Sequence, residues 1–275
     1  MKVKFKLFCN ISTHLVLIIC VVIALFPLFW ILRTSFGSRM QALTIPPQWI
    51  FFPTLENYRA VLFGEFPRYL INSFIISAVT ICVTIIMATL SGYAFARYEI
   101  PYKENMFFFA LTTRMGPPIA FALPYYLLYN RLNLLDTYLG MILIYMVYNL
   151  AFCIWMIRGF FKDIPKELDE IAMIDGCSQI GAFARVSLPI ALPGIVTTAI
   201  LSFIFTWNEF FYAMILTRKA TQTYTVQMPA FIGFMRIRWE EMCAAASLAL
   251  IPVVILAVIG RKRLIRGMTF GAIKE

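Results

Sequence analysis

The sequence has few charged residues and a single histidine. Charged residues make up 14% of its 275 positions, whereas 61% are hydrophobic and the mean hydropathy is +0.80. Soluble domains carry about 25% charged and about 45–50% apolar residues. The composition therefore argues against a soluble enzyme, a disordered chain and a nucleic-acid-binding protein. It predicts an all-α, polytopic integral membrane protein.

Motifs that carry enzyme chemistry are also missing. The six cysteines form no CxxC pair and no cluster with the one histidine, so we expect no metal site. The sequence contains no P-loop, no H-E-x-x-H and no G-x-S-x-G. We therefore expect no catalytic residues and no directly bound cofactor, and any ATP with its Mg²⁺ must act on a different chain.

Six apolar segments are long enough to span a bilayer. The third contains Arg114, Pro117, Pro118 and Pro124, so it must be kinked or broken. A broken helix at membrane depth needs protein or water around its free backbone groups, which places this segment inside the assembly or beside a pathway. The predicted spans are 14–33, 70–94, 105–129, 137–157, 189–212 and 243–260.

The distribution of positive charge predicts the orientation. The net charge is +10, and with both termini in the cytoplasm the inner segments hold fourteen Lys and Arg residues against nine in the outer segments. Cytoplasmic loops of membrane proteins carry the excess of positive residues. We therefore expect both termini to be cytoplasmic and residues 261–275 to form a cytoplasmic tail.

The inner loop at 158–188 holds five of the fourteen acidic residues of the chain. Pro165 suits a first helical turn, and Leu168, Ile171 and Ala172 share one apolar helix face. Asp175-Gly176 predicts a turn, after which Ser178 caps a second helix that runs to about residue 186. Helices that lie on lipid are normally basic, so this acidic helix–turn–helix favours a protein partner with a basic groove.

This loop resembles the EAA motif of ABC importer membrane subunits. The resemblance rests on Glu170-Ile-Ala172, then Gly176, then Leu188-Pro189 at the motif's spacing. Two positions depart from the motif, because Ile171 stands where alanine is usual and Cys177 follows the glycine. Both residues are small or apolar and should preserve the helix.

The resemblance extends over nearly the whole chain. It narrows to the carbohydrate-uptake permeases of the MalG type, the second permease of maltose and oligosaccharide transporters. The residues that carry it are Pro53–Tyr58, Asn72-Ser73, Ser91–Arg97, Gly159-Phe-Phe, Ile164–Glu167, Trp207–Phe210 and Arg266–Lys274. It implies one transmembrane domain over 1–275 with the type I ABC importer fold, in which six helices surround a pathway and residues 158–188 form a coupling loop.

The family's properties imply roles for particular residues. The coupling loop would dock into a cleft of a separate ATPase subunit, with Glu170 pairing with a basic residue there. The residues expected to couple to the ATPase are Glu167, Leu168, Glu170, Ile171, Ala172, Asp175, Gly176, Leu188 and Pro189. The tail residues expected to contact the ATPase are Arg266, Gly267, Gly271 and Lys274.

The resemblance also implies partners: a paralogous, MalF-like second permease, an ATPase dimer and an extracellular or periplasmic solute-binding protein. It places this chain in the plasma or inner membrane of a prokaryote. Carboxylate, amide and aromatic groups near span ends suit sugar recognition, although helix–helix contacts are an equal alternative for them. For Arg114, pairing with another subunit is favoured over a place in the pathway. The residues expected in the substrate pathway are Asn72, Arg114, Asn149, Trp207, Asn208, Glu209 and Tyr212.

The sequence leaves other functions open. Within transport, the permease of an ABC importer for a non-sugar solute is the main alternative, which the carbohydrate-type tail disfavours. An integral membrane enzyme would need clustered catalytic groups, and a lone channel would have no use for an acidic coupling loop.

Overall fold

A computed structural model describes residues 2–233 and 236–269, with side chains described over 13–261 except residues 113, 234 and 235. The described residues are mostly helical, and their one β-bridge joins Ile232 to Ile237. The α-helices are α1 (Lys2–Ser35), α2 (Arg39–Leu43), α3 (Glu56–Leu62), α4 (Phe66–Arg97), α5 (Lys103–Met115), α6 (Pro118–Arg131), α7 (Tyr138–Lys162), α8 (Glu167–Ile174), α9 (Gln179–Ala182), α10 (Leu188–Trp207), α11 (Phe211–Leu216), α12 (Tyr224–Gln227) and α13 (Trp239–Thr269). The all-α class is confirmed.

Five helical stretches among the described residues are long and apolar enough to cross a membrane. They are Thr13–Ser35, Phe66–Arg97, Tyr138–Lys162, Gln179–Trp207 and Trp239–Arg261. The third predicted span is broken, as its prolines predicted, because Gly116 and Pro117 are extended between α5 and α6. The number six therefore stays a prediction in which α5 and α6 cross the bilayer as a pair.

The fifth predicted span is not one continuous helix. Its helix ends at Trp207 and not at 212, and Tyr212 belongs to the separate helix α11. The apolar run continues through both helices, so hydropathy alone did not reveal the break at Asn208. The last helix is longer than predicted, since it begins at Trp239.

The chain divides into two compact units, residues 1–67 with 228–251 and residues 68–227 with 252–275. In the first unit, the side chain of Asn57 donates hydrogen bonds to the carbonyls of Ser35 and Gly37 at 2.9 and 2.7 Å. The hydroxyl of Tyr58 lies 2.7 Å from that of Ser35 and 2.9 Å from that of Ser247. Helix α3 is thereby fastened to the end of α1 and to α13.

The second unit is built around the contact between α7 and α10. Gly194 of α10 makes this contact close, because a side chain there would overlap the ring of Phe160. Small polar residues suit such tight helix contacts inside a membrane. Those fully buried on α4 and α10 are Thr80, Thr84, Thr197, Thr198 and Ser202.

Candidate functional site

The loop after α7 folds into the predicted helix–turn–helix. Helix α8 is followed by a turn at Gly176, whose φ of 93° lies in the left-handed region that favours glycine. The hydroxyl of Ser178 then accepts a hydrogen bond from the backbone N–H of Gly181 at 3.1 Å, so Ser178 is the predicted N-cap.

The second helix of this loop does not end near residue 186 as predicted. It continues from α9 through a π-helical turn at Phe183–Ser187 directly into α10. The N–H of Leu188 bonds to the carbonyl of Phe183, five residues back. Pro189 lacks the N–H that an α-helical turn would use here, and the wider turn accommodates it without a break.

Asp169 anchors α8 to the rest of the second unit. Its Oδ2 lies 2.6 Å from Nε of Arg97, and both side chains are buried, with 7% and 6% exposed. Its Oδ1 accepts a hydrogen bond from Ser187 at 2.6 Å, and the Tyr93 hydroxyl donates to Oδ2 at 3.3 Å. A buried carboxylate needs a paired cation and hydrogen-bond donors, and Asp169 has both.

Arg97 connects this anchor to three further points. Its Nη1 donates to the backbone carbonyls of Phe161 and Ile164 at 3.1 and 3.0 Å, and its Nη2 donates to Ser187 at 3.3 Å. One guanidinium therefore joins the ends of α4 and α7 to α8 and to the π-helical turn before α10. These contacts attach α8 to three long helices.

The sequence did not predict Asp169 as a site residue. Its partner Arg97 is 72 positions away, and the apolar periodicity directed attention to Leu168 and Ile171. The available signal was its spacing from Ala172, because residues three apart share a helix face. These two residues are the buried positions of α8.

The opposite face of α8 is exposed and combines acids with apolar side chains. Glu167 and Glu170 are exposed, and Ile171 and Ile174 expose 54% and 83% of their area. Leu168 is 38% exposed. Asp175, Gly176 and Pro189 are also exposed, while Leu188 is half-buried. Large exposed apolar groups beside carboxylates mark a surface suited to a protein partner.

Asn72, one of the predicted pathway residues, forms hydrogen bonds with other residues of this chain. It is 2% exposed, and its amide donates to the carbonyls of Ala220 and Gln222 at 3.1 and 3.0 Å. Tyr138 donates to its Oδ1 at 2.6 Å. Asn72 thus holds the segment after α11 against α4.

Glu209 caps α11. Its Oε1 accepts the N–H of Tyr212 at 2.9 Å, and its Oε2 accepts the Tyr145 hydroxyl at 2.8 Å and the N–H of Ala213 at 3.3 Å. Neighbouring Asn208 is exposed, with its Oδ1 accepting the Tyr224 hydroxyl at 3.2 Å. Glu209 is therefore committed to contacts within the chain.

Trp207 and Asn149 are buried. Trp207 is 2% exposed and stacks on Phe203 with ring centroids 5.7 Å apart. The Asn149 amide donates to the Tyr145 carbonyl and the Thr206 hydroxyl at 2.9 and 3.0 Å. Both residues serve helix packing in this structure.

Arg114 and Tyr212 do come together. They line one cavity with Tyr125 and Tyr148, and the Arg114 guanidinium lies 4.6 Å from the centre of the Tyr148 ring. Of the predicted pathway residues, this pair has the open space and the mixed aromatic and polar lining that a solute needs.

The residues predicted to form the tail contacts lie largely outside the described part of the chain. Arg266 and Gly267 lie in the last turns of α13, but their side chains are outside the described residues, as are Gly271 and Lys274 altogether.

Asp136 holds residues 218–221, which follow the fifth predicted span, a role that the sequence did not predict. It accepts hydrogen bonds from the N–H groups of Arg218, Ala220 and Thr221, each at 2.9 Å, and from the Thr221 hydroxyl at 3.0 Å. Partial burial alone would raise the pKa of Asp136, but these hydrogen bonds together hold it below its usual value.

The comparisons with known proteins agree with this architecture. A model of the family "Binding-protein-dependent transport system inner membrane component" matches residues 84–270. The sulfoquinovosyl glycerol transport system permease protein SmoH of Agrobacterium fabrum is 34% identical over 260 residues, which cover 93% of this chain and 91% of SmoH. The trehalose transport system permease protein SugB of Mycobacterium tuberculosis is 34% identical over 259 residues, covering 91% and 93%.

A solved structure has the same fold. It is the crystal structure of a bacterial ABC transporter involved in the import of the acidic polysaccharide alginate, with a TM-score of 0.76, 22% identity and coverage of 94% of this chain and 96% of that one. The chain belongs to the binding-protein-dependent transport system inner membrane components, and it is a permease subunit of an ABC importer whose ATP is hydrolysed by a separate subunit.

Proposed function

We propose that this chain forms half of the translocation pathway for a carbohydrate and that α8 couples it to the ATPase subunit by alternating access. The observation that carries the proposal is the two-sided character of α8. Its inner face is fixed by the buried pair of Asp169 and Arg97, while its outer face presents Glu170 and Ile174. A helix with these two faces can move with a bound partner and transmit that movement to the membrane helices.

Two further observations support a carbohydrate as the solute. Tyrosine rings and a guanidinium line the cavity at Arg114, and sugar recognition uses aromatic faces together with polar groups. SugB is a trehalose permease and SmoH a sulfoquinovosyl glycerol permease by name. These names span neutral and acidic sugars, so they leave the choice between the two open.

The proposal includes the assembly. A second, paralogous permease completes the pathway, an ATPase dimer binds ATP and Mg²⁺ below it, and a solute-binding protein delivers the sugar from outside. Both termini and the loop containing α8 face the cytoplasm, in keeping with the bias of Lys and Arg. Ile171 and Leu168 fill an apolar part of the ATPase groove, and Glu170 pairs with a basic residue of that groove.

Removal of the exposed acid tests this function. The chain is co-expressed with the other subunits of its importer and reconstituted in proteoliposomes, where ATP-driven sugar uptake and sugar-stimulated ATPase activity are measured. We expect Glu170→Ala to lower uptake and ATPase stimulation at least about tenfold, because one charged contact is worth ~1.5–3 kcal/mol.

Glu99→Ala is the matched control, since Glu99 is an exposed acid that lies outside the coupling loop. We expect this variant to behave as the wild type. An ATPase subunit that fails to co-purify with the wild-type chain, or normal coupling in Glu170→Ala, would refute the proposal.

A further inference from the structure

The cavity at Arg114 has an unusual combination of charge and aromatic surface. It has a volume of about 200 Å³ and is lined by Arg114, Phe121, Tyr125, Ile144, Val147, Tyr148 and Tyr212. Pockets for drug-sized ligands measure about 300–1,000 Å³. This one is smaller, and its size suits a single ring of a sugar chain.

The guanidinium of Arg114 is held by rings and not by an acid. It lies 4.6 Å from the ring centre of Tyr148, 5.0 Å from that of Phe152 and 5.3 Å from that of Phe205. Among the residues whose side chains are described, no carboxylate lies within ion-pair distance of it. The rings fix its position and leave its positive charge without an anionic partner among the described side chains.

Such a charge is costly at its place in the fold. Arg114 lies in the last turn of α5, two residues before Gly116, where the third predicted span breaks between α5 and α6. Ionised side chains inside transmembrane segments pair with one another or mark the paths of ions and substrates. The missing anion must therefore come from a ligand or from another subunit.

We propose that this cavity binds one acidic pyranose unit of the transported carbohydrate, with its carboxylate, sulfonate or phosphate on Arg114. The inference rests on the proposed function and adds the charge class of the sugar. The pyranose ring lies against the tyrosines, whose rings contact its apolar face and whose hydroxyls bond its hydroxyls. A ligand is preferred to a subunit contact because Arg114 forms part of the wall of an open cavity that three tyrosines also line.

Two small probes that differ in one group test the inference. Methyl β-D-glucuronide carries a carboxylate where methyl β-D-glucoside carries a hydroxymethyl group. Their affinities are measured by saturation-transfer NMR on the complete permease and ATPase complex in nanodiscs, without the binding protein. We expect the glucuronide to bind at least about tenfold more tightly, as one charge-assisted contact allows.

Two variants assign this preference to Arg114. Arg114→Gln should abolish the difference between the probes, whereas Arg131→Gln, the same change at an exposed arginine at the end of α6, should retain it. Tyr148→Phe keeps the ring that holds Arg114 and should weaken both probes alike.

Three results would overturn the inference: equal affinities for the two probes, a preference that survives Arg114→Gln, or loss of the second permease from the Arg114→Gln complex. The last result would assign the charge to the subunit interface. None of these results would contradict the proposed function, which is tested by ATPase co-purification and sugar-stimulated ATPase activity in the wild type.

Discussion

Arg97 Nε lies 2.6 Å from Asp169 Oδ2 in a buried ion pair that joins the end of α4 to the first turn of α8. The same guanidinium binds backbone carbonyls at the end of α7, and Ser187 completes the contact on the side of α10. Buried polar contacts therefore attach α8 to the ends of α4 and α7 and to the π-helical turn before α10.

Asp169→Asn should weaken the attachment of α8 to the membrane helices. The amide retains the size of the carboxylate but leaves the Arg97 charge buried and unpaired, and breaking a buried pair costs ~3–5 kcal/mol. We expect ATP-driven uptake in proteoliposomes to fall at least about tenfold. Asp163→Asn, the same change at an exposed residue, should leave uptake unaltered. Wild-type uptake by Asp169→Asn would show that the anchor does not transmit motion.

Gly176→Val should impair coupling because it strains the backbone of the turn after α8. A Cβ added at Gly176 meets no atom of the described residues within 4 Å apart from its chain neighbours, so the obstacle is its φ of 93°, which a β-branched residue does not tolerate. Asparagine is enriched at positive φ, so Gly176→Asn should retain more uptake and ATPase stimulation than Gly176→Val. Equal loss in both variants would instead indicate that the ATPase groove has no room for any side chain.

Much of the fold was readable from the sequence. The long apolar runs predicted the spans, and Pro117 with Pro118 predicted the break in the third one. Gly176 and Ser178 predicted the turn and the cap of the coupling loop, because these residue types act through local backbone geometry. Local signals of this kind do not depend on the rest of the chain.

Contacts between residues that are far apart in the sequence could not be predicted. Asp169 and Glu170 are adjacent acids, yet one is buried against Arg97 and the other is exposed, a difference set by the helix phase and by a partner 72 residues away. Glu209 was expected in the pathway because an acid at a span end is often functional. The helix ends two residues earlier, and Glu209 caps α11.

Glu209→Ala should therefore reduce stability more than substrate affinity. Loss of an N-terminal cap costs ~1 kcal/mol, which lowers the melting temperature by about 2–4 °C in a domain of 150–250 residues. Thermal unfolding of the purified complex measures this shift. The KM for sugar should stay at its wild-type value, and a raised KM at unchanged melting temperature would place Glu209 in the pathway after all.

Asp136→Asn should loosen the segment after α11. The carboxylate accepts four hydrogen bonds that hold residues 218–221, and the amide nitrogen of asparagine accepts none. Hydrogen exchange of these backbone N–H groups, followed by mass spectrometry, should accelerate in the variant. Unchanged exchange rates would show that Asn72 alone is sufficient to hold the segment.

Low pH should loosen residues 218–221 in the wild-type protein, as Asp136→Asn does at neutral pH. The folded pKa of Asp136 lies below the unfolded value, so its stabilising contribution is present above the ordinary aspartate pKa of about 3.9 and is lost as the pH falls through the folded pKa. Protection of residues 218–221 should therefore be constant at neutral pH and decline only below about pH 4.

A photo-cross-linking amino acid at Ile174 tests the central claim most directly. Ile174 exposes 83% of its area on α8, and Ile45, with 92% exposed on a predicted outer loop, is the matched control. On illumination of the assembled importer in membranes, Ile174 should form an adduct with the ATPase subunit, identified by mass spectrometry, and Ile45 should not. An ATPase adduct from Ile45, or none from Ile174 in an importer that hydrolyses ATP, would contradict the assignment of α8 as the coupling helix.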